Sequence, residues 1–503
     1  MAPLLLPPPA LGSFSRLPPP PAVLAPSPST PESHRGRLLF FVAVATAVFG
    51  LVWMGASQVL QRQKAAWPDH PADWDPRLAD LAYFVEADRG QDFRFPVYVD
   101  LLTPEQMSRA VRSGSSGSDA HARQSAATRA SELRALGLFS GDAPSSLDGE
   151  DELPHSFYDS ATARIVALAP VEQGDPGLEW NASMVRALTY ALRDQYTGLM
   201  VGAAEAPAPS VFHALAEGEA RRTERRFRME QSGGDEPSSL TLIASEEALR
   251  ASASFVELTA DLLAEPMVET IIDLDGPKAV DRAFSYPPLS EEALFDPSHY
   301  RGNGAVLPVA IPAAEPGSVV LREGTLGPVT WYAMLAQVTD AGTALRAAYG
   351  WGGDHVIVTR TGETTCVRLA FRGDRPADLT EMRAALERWV AAAAGARREV
   401  TLVGDQLVVV GCDPGVSAPS PLRSSPRGTV LAPRLAMDTV RVLHHDRGLS
   451  YQRARCAAID FLGQHRPEEL EALAEAATTQ GAAALGTTAL LDQRLTLAIS
   501  HCP

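Results

Sequence analysis

Residues 38–60 are the feature that most constrains this chain, because they form an apolar run of 23 residues without one charged side chain. As an α-helix the run would be about 34 Å long, which exceeds the hydrocarbon core of a bilayer at about 30 Å. A signal peptide would start nearer the N-terminus, have a shorter apolar core and end at a small-residue cleavage site. We therefore predict a single transmembrane helix over residues 38–60.

This run divides the chain into segments of different composition. Residues 1–37 are rich in proline and are predicted to be a disordered tail, with a binding site for a proline-recognising domain as the alternative. Residues 61–412 would form the main ectodomain. The stretch 413–431, rich in proline and serine, is predicted to be a linker to a helical C-terminal segment at 432–503.

Beyond the apolar run, helix-like and strand-like patterns are interspersed without a regular βαβ repeat, which favours the α+β class. We expect a mostly helical ectodomain with one small mixed sheet. The net charge of −17 argues against nucleic acid as the main partner, because a phosphate backbone is bound by basic surfaces.

The four cysteines bear on the compartment. Cys366, Cys412, Cys456 and Cys502 all follow the apolar run, and an even number suits an oxidising environment. This favours a large extracellular part with a short cytoplasmic N-terminus. Three pairings are possible; the first two cysteines lie in neighbouring strand-like segments and the last two in the final helical unit, so we pair them in that order. Four buried free thiols are the alternative.

One predicted helix carries an unusual pattern, "SMVRALTYALRDQYTGL" at residues 183–199. Its apolar residues recur at helical spacing and form one buried stripe. Residues 185–195, "VRALTYALRDQ", resemble the zinc helix of membrane-anchored, zincin-type metallopeptidase-like proteins of actinobacteria, which is similar to V-H-E-L-T-H-A-L-Q-D-Q. Further resembling segments follow in order over residues 80–360. They are "FRFPVYVDLL" (93–102), "ALGLFSGD" (135–142), "FYDSATARI" (157–165), "ALAEGEA" (214–220), "YPPLSEEALFDPSHY" (286–300) and "AAYGWGGDHV" (347–356).

The resemblance implies a zincin-like ectodomain whose zinc motif is degenerate. Arg186 stands at the position of the first histidine, Ala187 at that of the glutamate and Tyr190 at that of the second histidine. In an H-E-x-x-H helix the two imidazoles at i and i+4 hold one zinc ion, and the glutamate acts on the bound water. A guanidinium cannot ligate a metal, and a methyl group has no acid–base chemistry. We therefore expect no catalytic residues and no zinc.

Glu217 is what remains of the family's ligand set, at the position that the resemblance assigns to the third metal ligand. A buried carboxylate without a partner is costly, so it should be paired. We predict that Arg186 forms an ion pair with Glu217 and so takes the place of the metal. In the alternative, Arg186 points to solvent and Glu217 pairs with Arg221 one helical turn away.

Three functions are compatible with these residues. The first is a non-catalytic, metallopeptidase-like pseudoenzyme that is anchored in the cell membrane by residues 38–60 and binds a peptide or protein. The second is a hydrolase that uses an unrecognised metal site with His213 and Glu217, which are spaced i, i+4. The third is a structural protein of the cell envelope. The first is our prediction.

Overall fold

In a computed structural model of the chain, residues Asp69–Pro503 form one compact unit. The described residues are 68–113, 119–141, 153–170, 176–233, 255–302, 306–393, 395–418, 426–466, 468–473 and 489–503. Among them, no helix is both long enough and apolar enough to cross a membrane. The predicted tail at 1–37 and the predicted transmembrane helix at 38–60 lie outside the described residues.

The fold class expected from the sequence is therefore corrected in two parts. The described chain is α+β, as expected, but it contains two sheets where one small mixed sheet was expected. The predicted transmembrane helix is not supported, because no described helix is both long enough and apolar enough to cross a membrane.

The helices are numbered in chain order. They are α1 Ala79–Arg89, α2 Pro104–Ser113, α3 Asp119–Leu136, α4 Leu178–Thr197, α5 Leu199–Glu205, α6 Pro209–Gln231, α7 Phe255–Asp275, α8 Lys278–Ser285, α9 Pro328–Ala336, α10 Ala341–Tyr349, α11 Pro376–Ala391, α12 Pro426–His445, α13 Tyr451–Gly463 and α14 Ala489–Ser500. Two 3₁₀ turns, Glu291–Leu294 and Pro297–Arg301, lie between α8 and the second sheet. The strands are β1 Val99–Leu102, β2 Ser156–Asp159, β3 Arg164–Leu168, β4 Val319–Gly324, β5 Trp351–Thr361, β6 Thr364–Gly373, β7 Arg398–Val403 and β8 Gln406–Cys412.

The first sheet has the order β1-β3-β2. Strand β1 runs parallel to the central strand β3, and β2 runs antiparallel to it, with Tyr158 opposite Ile165. Ile165 and Ala167 point into a core that they share with the apolar stripe of α4, including Val185 and Leu188. The inward-facing side chains at every second residue of β3 thus pack against the side chains that α4 presents every three to four residues. This packing fixes α4 next to the edge strand β2.

The second sheet is antiparallel throughout, in the order β4-β5-β6-β8-β7. Phe371 of β6 packs edge-on against Trp331 of α9, with ring centroids 5.4 Å apart. Asp354 of β5 is buried, and its carboxylate accepts four hydrogen bonds. The donors are the backbone N–H groups of Leu326 (2.7 Å) and Gly327 (3.0 Å) and the indole N–H groups of Trp331 (2.8 Å) and Trp351 (2.7 Å).

Both disulfides are present in the predicted pairing. Cys366 and Cys412 face each other on β6 and β8 and form the strand disulfide. Cys456 of α13 and Cys502, just after α14, form the helix disulfide. No cysteine is free.

The C-terminal helices belong to the same compact unit as the second sheet. Helix α12 packs on α7, where Arg441 donates to Asp273 at 2.6 Å. The predicted boundary between the linker 413–431 and the segment 432–503 falls inside α12, which begins at Pro426. Part of that predicted linker, residues 419–425, lies outside the described residues.

Helices α4, α6 and α7 pack side by side, and one glycine sets how closely α6 approaches α7. A Cβ atom at Gly218 would lie 2.1 Å from the backbone oxygen of Ala264. A side chain at this position would therefore push α6 away from α7. Glu217 precedes Gly218, so the contact between Gly218 and Ala264 also fixes the position of the Glu217 side chain along α6, next to α4.

Candidate functional site

Helix α4 presents two polar side chains on the side that faces α6. Arg186 and Tyr190 are four residues apart and therefore lie one above the other on the helix surface. The opposite side of the helix is fully buried, with Val185 and Leu188 in the core. Burial of that apolar stripe aims the two polar side chains at α6.

Glu217 of α6 receives both side chains. The guanidinium of Arg186 donates from Nη2 to Oε1 of the carboxylate. The hydroxyl of Tyr190 donates to Oε2 at 2.5 Å. Arg221, one turn further along α6, also donates from Nε to Oε1. The predicted Arg186–Glu217 ion pair is present, and so is the local pair with Arg221 that was the alternative. The two are compatible because one carboxylate oxygen accepts from both guanidinium groups.

The charges in this cluster keep Glu217 ionised. Burial alone would raise the pKa of Glu217, but the adjacent charges of Arg186 and Arg221, with hydrogen bonds from Arg186 and Tyr190, lower it to about 2. Burial and the negative charge of Glu217 raise the pKa of Tyr190 well above its ordinary value of 10. Burial works against the charge of Arg186, but Glu217 more than compensates and raises its pKa. At neutral pH the cluster therefore holds two cations, one anion and a neutral phenol.

A cavity of about 550 Å³ opens over this cluster. Its walls come from β2, the adjoining residues 154 and 160, and helices α4, α5 and α6. Arg186, Ala187, Tyr190 and Glu217 all line it, so the structure brings the three degenerate motif positions and the residual ligand position together in one cleft. The remaining lining residues are Pro154, Ser156, Phe157, Tyr158, Ser160, Leu199, Met200, Ala203, Phe212, His213 and Ala216.

The resemblance to zincin-type peptidases implies a zinc ion at this place, and the residues present do not fit one. Both oxygens of Glu217 are already engaged by donors. Tyr190 would have to lose a proton to ligate, and its raised pKa opposes this. Arg186 offers no lone pair and places a positive charge where the metal would lie.

His213 gives no alternative metal centre in the described part of the chain. Its side chain is exposed and lines the cavity, four residues before Glu217 on α6. No group of three or more histidine, cysteine or carboxylate side chains that could hold a metal occurs among the described residues. The hydrolase hypothesis that depends on His213 and Glu217 therefore lacks a third protein ligand within those residues.

Motif positions that match the resemblance have structural partners. Asp194 accepts from the hydroxyl of Tyr158 at 2.6 Å and from the backbone N–H of Leu199 at 2.5 Å, which ties β2 and α5 to the end of α4. Gln195 bridges to the backbone of Arg94 and Phe95. These bonds hold the cavity walls in place.

The sequence reasoning missed several lining residues, including Phe157 and Tyr158 of β2 and Met200 of α5. A signal for Tyr158 was present, because it lies in a predicted hairpin and within a segment that carries the resemblance. A signal for Met200 was not, since a short helix after a glycine gives no periodic pattern. Its side chain is 57% exposed, which is unusual for a methionine and reflects its place at the mouth of the cavity.

Comparison with known proteins gives one partial match. A family described as Domain of unknown function (DUF8575) matches residues 318–416, which span the second sheet and helices α9–α11. No curated protein and no solved structure matches the chain. The match does not reach the cleft, which is formed by residues before 218.

Proposed function

We propose that this chain is a non-catalytic relative of the zincin-type metallopeptidases and that its cleft binds a peptide or a segment of a protein. The observation that carries the proposal is the Arg186–Glu217 ion pair, which lines a cavity of about 550 Å³ and is joined by Arg221 at the same carboxylate. The cavity has the size of a ligand site, and the guanidinium and the phenol that line it are groups suited to binding a polar ligand.

The convergence of three positions supports the relationship to that family. The resemblance assigns metal ligands to residues 186, 190 and 217, and the side chains at these positions meet although they come from two helices. Because the first two lie one turn apart and both contact the third, histidines at the first two would lie close to the same carboxylate.

The wall formed by β2 supports a peptide as the ligand. Among the described residues β2 pairs only with β3, so no described strand covers its other edge, where an added strand could pair. The carbonyl of Ser156 in β2 accepts from the hydroxyl of Ser183 at 3.5 Å. Phe157 and Tyr158 of this strand line the cavity, together with the apolar side chains of Leu199 and Phe212. An extended peptide would gain main-chain hydrogen bonds from the strand and apolar contacts from the helices.

The two disulfides support an oxidising location, and we propose that the protein acts outside the cytoplasm. Both bridges lie in the same compact unit as the cleft. A binding protein that carries them would meet its ligand in an extracellular or envelope compartment.

The test is whether peptides are retained without being cut. The full chain would be incubated with a mixture of N-acetylated octapeptides, and mass spectrometry would quantify both the retained peptides and any products. We expect retention with no cleavage. Substitution Met200→Asp places a charge at the mouth of the cavity and should weaken retention about tenfold or more, because burying an unpaired carboxylate is costly.

Val201→Asp is the matched control. Val201 is on the same short helix and is 56% exposed, nearly the same as Met200, but it does not line the cavity. Retention should be unchanged in this variant. Cleavage of the peptides, or equal retention by the wild type and Met200→Asp, would contradict the proposal.

A further inference from the structure

The donor groups of Arg186 are only partly used within the protein. Nη2 binds Glu217, while Nε and Nη1 have no hydrogen-bond acceptor among the residues that the structure describes. The side chain is 36% exposed and lines the cavity. A guanidinium presents five N–H donors in a planar fork, and such a fork binds carboxylates with two parallel hydrogen bonds. Arg186 therefore has donors left for a ligand.

The charges on the cavity floor also favour an anion. Arg186 and Glu217 line the cavity, and Arg221, which does not line it, binds the same carboxylate. The three side chains together therefore carry a net charge of +1. The negative charge of Glu224 also raises the pKa of Arg186, but this carboxylate is itself paired with Arg228 at 2.9 Å. Asp194 lies behind Tyr158, outside the cavity wall, and its two oxygens accept from Tyr158 and Leu199. In a chain of net charge −17, this floor is a local positive site.

Apolar side chains surround this positive site. Phe157, Leu199, Met200 and Phe212 line the same cavity, and Ala187 leaves space beside Arg186. The arrangement suits a carboxylate that carries an apolar group next to it. A carboxylate at the end of a peptide with an apolar last residue has this form, and so does an acidic side chain beside an apolar one.

We propose that the cleft recognises a carboxylate of its peptide ligand through Arg186, with an adjoining apolar side chain in the cavity. This inference rests on the proposed function, since it names the chemical group that the binding site selects. The guanidinium then serves as the anchor in the place where a peptidase relative would hold a metal. Charge-assisted hydrogen bonds of this kind strengthen binding by about ten- to a hundredfold over a neutral partner.

The experiment compares four tetrapeptide mixtures, all N-acetylated and with Leu, Phe or Met as the last residue. The first has a free C-terminal carboxylate and the second is its amide. The third is an amide with Glu at the position before the last, and the fourth is the same amide with Gln. Dissociation constants would be measured on the full, unmodified chain by isothermal titration calorimetry.

We expect at least one carboxylate mixture to bind about tenfold or more tightly than its neutral counterpart. Preference for the first over the second assigns the anchor to the peptide terminus, and preference for the third over the fourth assigns it to an acidic side chain. Equal binding of acids and amides would overturn the carboxylate anchor but leave peptide binding intact. Absence of binding by all four mixtures would overturn the proposed function as well.

Arg186→Gln gives a second, independent readout. It should remove the preference for the acid over the amide, measured as the ratio of their two dissociation constants, which a merely structural role would not do. Arg164→Gln is the matched control, since Arg164 is 32% exposed, pairs with Asp100 and does not line the cavity. A preserved acid preference in Arg186→Gln would refute the role of Arg186. If that variant does not fold, the comparison of acids and amides on the unmodified chain still decides the proposal.

Discussion

Glu217→Gln isolates the electrostatic contribution of the cleft floor to stability. The substitution keeps the shape of the side chain and one acceptor oxygen, but it removes the charge that Arg186 and Arg221 neutralise. Folding lowers the pKa of Glu217 from 4.5 to about 2, which corresponds to about 3 kcal/mol in favour of the ionised form. Because Arg186 is 36% exposed, solvent screening reduces this to about 2 kcal/mol.

The sign follows from the direction of the pKa shift. A carboxylate whose pKa is lower in the folded state contributes its full stabilisation above about pH 4.5, and the contribution is lost as the pH falls towards 2. The difference in free energy of unfolding between the wild type and Glu217→Gln should therefore be larger at pH 7 than at pH 3 by roughly 1 kcal/mol or more.

The assay is urea unfolding followed by tryptophan fluorescence at pH 7, 5 and 3, with the disulfides intact. Urea is preferred to guanidinium because salt would screen the ion pairs. Glu363→Gln is the control, since Glu363 is an exposed carboxylate in the turn between β5 and β6 and should give no difference at any pH. A difference for Glu217→Gln that stays constant from pH 7 to pH 3 would refute the reasoning.

Three further predictions concern the zinc motif, Asp354 and the disulfides. The triple variant Arg186→His, Ala187→Glu and Tyr190→His should bind zinc stoichiometrically, as measured by plasma mass spectrometry. Adding Glu217→Gln should weaken this zinc binding strongly. A triple variant without zinc would argue against the family relationship. Asp354→Ala leaves four buried hydrogen-bond donors without an acceptor. It should therefore lower the free energy of unfolding, measured with urea, by about 3 kcal/mol or more. A loss below about 1 kcal/mol would contradict the role assigned to the carboxylate. Replacing either cysteine pair by serine should lower the free energy of unfolding by roughly 4 kcal/mol, because both disulfides join residues 46 apart in sequence. Urea unfolding of the two variants checks this. Unequal losses would show that native contacts at the bridges outweigh the entropy of the unfolded loops.

The parts of the site that the sequence predicted depend on local spacing. The apolar stripe of α4 fixed which side of the helix is buried, so the direction of Arg186 and Tyr190 followed from the 3.6-residue period. The pairing of Arg186 with Glu217 followed from the resemblance and from the cost of an unpaired buried carboxylate. The error was to treat Arg221 as a competing partner, because one carboxylate can accept from several donors.

The parts that the sequence did not predict depend on contacts between distant residues. The order of the second sheet places β8 between β6 and β7, which no local pattern of residues 364–412 specifies. The role of Asp354 was missed for the same reason, since the segment 347–356 around it does not show that residues 326 and 327 come to it as donors. The transmembrane helix was predicted from hydropathy alone, and no described helix supports it.

The two disulfides also determine how the chain would behave if a protease cut it. Each bridge closes its own loop, and the chain between Cys412 and Cys456 is spanned by neither. A cut inside either loop would leave the pieces covalently joined, so they would separate on a gel only after reduction. A cut between the loops and before α12 would leave a C-terminal fragment without a covalent link to the rest. It would be held by packing, which includes α12 on α7 and the ion pair of Arg441 with Asp273.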